Sequence, residues 1–147
     1  MSTPNPAGGP PSGAPGGKTS LGLESNVGAM LCYIANFLCC IGLVLAIVFL
    51  FTEKDNRFVK FHALQSLFLA LAQLALCLVM GVLTTILGII LGMIHLSILA
   101  FFLNWGLGLI LFVIFAIVWV LAGIKAYGGQ WYKLPLVGNF AWNAVNK

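Results

Sequence analysis

Charge is scarce in this chain. Lys and Arg number seven and Asp and Glu three, 7% of 147 residues, where a soluble domain carries about 25%. Ten charged side chains cannot hydrate a globule of this size, which excludes an ordinary soluble enzyme. A hydrophobic content of 61% and a mean hydropathy of +1.08 exclude a disordered protein. The net charge of +4 rests on few basic residues, and these stand at segment edges. They read as topology signals, and no nucleic-acid partner is expected. What remains is an integral membrane protein.

Acids are scarcer still. Glu24, Glu53 and Asp55 are the whole set, and all lie outside the apolar runs. No carboxylate pair can flank a substrate in the core. The intramembrane carboxylate or lysine of a proton- or ion-coupled transporter is missing between Phe61 and Ile124. The nucleotide motifs GxxxxGK[ST] and GxGxxG are absent, and no serine or cysteine has a recognisable base. Cys32, Cys39, Cys40 and Cys77 sit in apolar runs without zinc-site spacing, and read as small packing residues. The chain is expected to be no enzyme and to use neither cofactor nor metal.

Proline is nearly confined to one end: five of six lie before residue 20. That Pro/Gly/Ser-rich stretch, taken as 1–24, reads as a disordered tail with too little apolar surface to order itself. It lacks the charged start of a signal peptide.

The remainder, 25–147, reads as one helical membrane domain. An uncharged run from Val27 to Phe51 is about 37 Å long as a helix, enough to cross a ~30 Å hydrocarbon core. Its small residues Gly28, Cys32, Ala35, Cys39, Gly42 and Ala46 step by 4, 3, 4, 3, 4. That is a seam on which a second helix can pack closely. A loop over 52–60 then holds five of the ten charges, with Asp55 or Asn56 placed to cap the next helix. From Phe61 to Ile124 there are 64 residues without charge. Small residues continue in step through Gly81, Thr85, Gly88 and Gly92, so the second helix is expected over 57–92. A connection to about 105 and a third helix over 105–127 follow. In the tail after Ile124, aromatic residues alternate with Lys125 and Lys133, the pattern of a membrane-surface anchor.

Three crossings would place Lys54, Arg57, Lys60, Lys125, Lys133 and Lys147 on the cytoplasmic side and Lys18 alone on the other. Four would divide the cations four against three. The positive-inside rule favours three, with the 52–60 loop and the C-terminus cytoplasmic; four is the alternative, because 93–103 is apolar enough to insert.

Two blocks carry more than composition. One runs EKDNRFVKFHALQS over 53–66; the other joins Lys125-Ala126-Tyr127 to YKLPLVGN over 132–139. Together they resemble a family of small bacterial membrane proteins of mostly unknown function. That family is similar to the membrane-embedded subunit of the chloroplast inner-envelope protein translocon and to magnetosome-membrane proteins implicated in organelle assembly. The resemblance covers about 24–142. It implies an all-helical multi-pass fold in a bacterial cytoplasmic membrane, without known catalytic residues, and a part in translocation or complex assembly. Asn139 departs from it, standing where relatives often carry an acid.

Three groups of candidate residues follow. Arg57, Phe58, Lys60, Trp131, Lys133 and Pro135 are expected to face lipid or a partner. His62, Gln65, Ser66 and Gln73 form a polar stripe, read first as inter-helix hydrogen bonding and second as the lining of a path. The two seams are expected to pack helices, the second against a partner subunit or another copy. The leading expectation is a non-enzymatic protein that assembles or scaffolds a membrane complex; the alternative is a translocon-like conduit.

Overall fold

A computed structural model describes residues 17–38 and 40–146. The expected tail over 1–16, Cys39 of the first seam and Lys147 lie outside the described residues. The described chain is helical, with one isolated bridge between Lys18 and Glu24. The helices are α1 (Ser25–Ile34), α2 (Cys40–Thr52), α3 (Arg57–Met93), α4 (Ser97–Tyr127) and α5 (Val137–Val145), with a 3-10 turn at Ala35–Leu38.

The first apolar run is therefore not the single helix expected over 27–51. It folds back on itself. Asn36 turns its amide inward, donating to Cys32 O at 3.2 Å and to Ser66 Oγ at 3.0 Å. The first turn of α2 then passes directly over the Asn36 backbone. A Cβ on residue 42 would lie 2.5 Å from Asn36 N and 2.7 Å from its Cα, so only glycine permits the return. α1 and α2 are antiparallel: a Cβ on Gly28, early in α1, would stand 3.3 Å from the Phe49 ring, late in α2. The open end is tied as well. Ser20 N–H donates to both Glu53 carboxylate oxygens, at 3.2 and 2.9 Å, and Asn56 Nδ2 donates to Ser25 Oγ. Gly28, Cys32, Ala35, Gly42 and Ala46 are buried as a small-residue set should be, but inside a hairpin and not along one helix face. Residues 17–24, assigned above to the tail, belong to this ordered end: Thr19 is buried, and Ser25 N–H donates to Gly17 O.

Asn56, one of the two expected caps, starts α3 by accepting from Val59 N–H at 3.2 Å. α3 ends in a Schellman arrangement. His95 sits at φ 62°, its N–H donates to Gly92 O, and Leu96 N–H donates to Leu91 O. α4 begins at Ser97, not at 105, so the connection is a three-residue turn. The reason is backbone accounting: an open apolar loop would leave peptide groups unpaired in a medium without water. Gly129, at φ 70°, closes α4 by the same device, with Gln130 N–H on Lys125 O.

α3 and α4 are long and apolar enough to cross a membrane; α1 and α2 are shorter apolar helices. Among the described residues a core forms only at one end of the α3–α4 pair. There α1 packs on both long helices, and α2 and α5 pack on α3. Tyr33, Phe49, Phe58, Phe61, Trp119, Ala122 and Ala126 are buried in it. Beyond about Ala70 on α3 and Val118 on α4 the large apolar side chains face outward.

Candidate functional site

The first three turns of α3 place His62, Gln65 and Ser66 on one face, spaced three and four residues apart as a helix requires. All three are buried, and each finds partners in other elements. Gln65 is fully used. Its Nε2 donates to Tyr33 Oη at 2.9 Å and to Tyr132 O at 3.0 Å, and its Oε1 accepts from Leu134 N–H at 3.2 Å. Tyr33 Oη is 3.0 Å from His62 Nδ1, and His62 Nε2 is 3.1 Å from Gln130 O. A carbonyl only accepts, so Nε2 carries the proton and Nδ1 accepts from the tyrosine; this assigns one neutral tautomer. Ser66 Oγ donates to Cys32 O while accepting from Asn36. The network joins α1, α3 and the extended segment 130–136.

Sequence reasoning named His62, Gln65 and Ser66 but missed Tyr33 and Asn36. The signal was present: they are the polar side chains in the middle of an apolar run, three residues apart. Polar groups in such runs face protein, not lipid. The other partners, at Cys32, Gln130, Tyr132 and Leu134, are main-chain groups that no side-chain pattern reveals.

Gln73 does not join the cluster. It lines a separate groove of about 230 Å³ between the outer halves of α3 and α4, with Cys77, Gly81, Thr84, Asn104 and Gly108. Of the second seam, Gly81 and Gly88 have no atom within 4 Å of where a Cβ would sit. Gly92 has only Ser97 Oγ at 3.8 Å, and the Thr85 hydroxyl turns back to Gly81 O. Gly81 and Gly88 thus present open space where a helix could approach.

The expected surface residues divide. Arg57 is exposed and Lys60 Nζ donates to Lys54 O at 3.0 Å. Phe58 is buried, a correction: its ring lies 4.6 Å from His62 and 5.2 Å from Trp131, edge to face, so it roofs the polar cluster. Trp131 also meets Phe61 and Trp142, and Lys133 Nζ stands 3.7 Å from the Trp142 ring centroid. Pro135 O accepts from Val137 N–H across Leu136, which sits at φ 69°, ψ −65°: a tight γ-turn that swings α5 back over α3. Gly138 is required there, since a Cβ would meet Lys133 Cα and Gln65 Oε1 at 2.8 Å. The two sequence blocks, 53–66 and 132–139, thus meet in one place.

Comparison with known proteins agrees with a membrane protein. The chain is 36% identical over 128 residues to a UPF0132 membrane protein of Methanocaldococcus jannaschii, covering 85% of this chain and 92% of the relative. It is 32% identical over 119 residues to one of Archaeoglobus fulgidus, covering 81% and 93%. These relatives are archaeal, so they lend nothing to the bacterial setting expected above, and none is named for protein translocation. No solved structure matches. A family model for magnetosome magnetite crystal formation proteins matches residues 24–141, the span that contains both blocks and the whole polar network, and the chain belongs to that family.

Proposed function

We propose that the chain is a non-enzymatic membrane protein that assembles or scaffolds a membrane complex. It does so by packing the outer half of its α3–α4 hairpin on partner subunits or on copies of itself. The observation that carries this reading is the contrast between the two ends. At one end every polar group of His62, Gln65 and Ser66 is paired inside a core. At the other, two helices stand with open glycine faces and with Gln73 and Asn104 in a groove between them. In lipid, small residues allow close helix approach, and interhelical polar groups hold it. The hairpin is also over-long. α3 has 37 residues, or about 55 Å, against a ~30 Å hydrocarbon core, and such mismatch favours helix association. The family is described by magnetite crystal formation. The share of such a process proposed for this chain is organisation of the membrane and its proteins. The conduit alternative keeps only Gln73 of its four expected lining residues, because His62, Gln65 and Ser66 are tied up in protein partners.

Single cysteines at 81, 88 and 108, in a chain lacking its native cysteines, test this by oxidative crosslinking in native membranes. Covalent dimers or subunit adducts from these positions, and few from Ile41 on α2, are expected. Monomers alone at every expression level contradict the reading.

A further inference from the structure

We infer that α1–α2 is a re-entrant hairpin, and that it completes a one-sided docking surface for the anionic headgroup layer of the membrane. α1 has 10 residues and α2 has 13, about 15 and 20 Å, so neither crosses a ~30 Å core. Both are apolar, and α2 presents Ile41, Val44, Val48 and Phe51 outward. The hairpin therefore enters the bilayer and leaves it on the side from which it came. Its open end is fixed by Ser20 on Glu53 and by Asn56 on Ser25.

That fold decides where the charge lies. Lys18 precedes the hairpin, and Lys54, Arg57 and Lys60 follow it. The bonds from His62 to Gln130 O and from Gln65 to Tyr132 O bring Lys125 and Lys133 to the same end. All six described cations gather there, and the far turn at 94–96 carries none. A separate crossing for the first run would have placed Lys18 on the opposite side; the re-entrant fold removes that exception to the positive-inside rule.

The surface is chemically suited to headgroups. The cations outnumber Glu24, Glu53 and Asp55 by six to three, and Glu53 already accepts from the Ser20 backbone. The aromatic side chains of headgroup depth stand among them: Tyr127, Trp131, Tyr132 and Trp142. α5 lies across this end with Gly138 and Ala141 against the protein and Phe140 outward beside Phe68. An apolar ridge flanked by cations fits a negatively charged lipid surface. Headgroup docking at this end and packing of the outer hairpin are independent of each other.

Two measurements test it on the full chain in vesicles. Single cysteines at 18, 56, 95 and 146 are labelled with a membrane-impermeant maleimide from one side at a time. Residues 18, 56 and 146 are expected to react from one side and 95 from the other; opposite sides for 18 and 56 overturn the re-entrant fold. For the headgroups, Trp105 and Trp119 are replaced by Phe, and the remaining tryptophans are quenched with brominated lipid in mixed phosphatidylcholine–phosphatidylglycerol vesicles. Brominated phosphatidylglycerol is expected to quench several-fold more per molecule than brominated phosphatidylcholine. The preference should fall by about fivefold or more in the triple variant Arg57→Gln, Lys60→Gln, Lys133→Gln, with labelling sides unchanged. Equal quenching by the two lipids, or a preference untouched by the triple variant, overturns the headgroup surface.

Discussion

Two glycines with the same sequence signature differ sharply in what surrounds them. Gly42 faces the Asn36 backbone at distances no Cβ tolerates, whereas Gly106 has nothing within 4 Å. Backbone cannot yield as a side-chain tip can. Gly42→Ala should therefore destabilise the protein by about 1–3 kcal/mol, and Gly106→Ala should be neutral or stabilising by up to about 1 kcal/mol. Unfolding midpoints in detergent separate the two. Gln65 invites a second substitution. Gln65→Leu deletes three hydrogen bonds, strands the buried Leu134 amide and leaves the part-buried Tyr132 carbonyl without its partner, a loss of about 2–4 kcal/mol. Faster hydrogen exchange at the Leu134 amide, with the outer hairpin unchanged, is the expected signature. The polar stripe at 62, 65 and 66 was legible because helical spacing and scarcity of polar groups point the same way. Its partners were half legible: Tyr33 and Asn36 have side chains to notice, but four of the acceptors and donors, Cys32 O, Gln130 O, Tyr132 O and Leu134 N–H, are peptide groups. Phe58 misled for a related reason. Beside Arg57 and Lys60 it looks interfacial, and only the return of 130–142 puts a roof of tryptophan over it.

At the scale of elements, the long helices were legible and the breaks were not. α3 is one residue longer than expected, because periodicity and the Asn56 cap are strong local signals. The first run carries no proline and would suffice to span a bilayer, so nothing local ends it at Ile34. Its break is tertiary, made by Asn36 reaching Ser66 and by the space left at Gly42. The start of α4 was missed because glycines and an asparagine between 104 and 108 resemble a loop, whereas in an apolar medium the helix is the only way to pair those peptide groups. The turn that does join the helices places His95 in the left-handed region, where glycine is normal. His95→Gly should stabilise the hairpin by up to about 1 kcal/mol, and His95→Val should weaken it by at least as much. Reversible unfolding in mixed micelles reads both signs.

The whole molecule has two unlike ends, and its length sets how it sits in lipid. α3 alone rises about 55 Å, more than the ~40–45 Å of a bilayer with its headgroups. The hairpin fits only if it inclines by about 40°, the steep end of the range for membrane helices. Polarised infrared dichroism of oriented bilayers should report that inclination; a near-vertical pair would mean a locally thickened bilayer. The inferred return of the first apolar run to the side it left gathers the core, the polar network and the described cations at one end of the molecule. Leu21 and Lys54 adjoin the Ser20–Glu53 contact and are both exposed. Spin labels at these two positions, read by dipolar spectroscopy in vesicles, should lie within about 20 Å of each other, allowing for label length. A separation of about 30 Å or more, the thickness of the hydrocarbon core, would show that the run crosses the membrane and does not return.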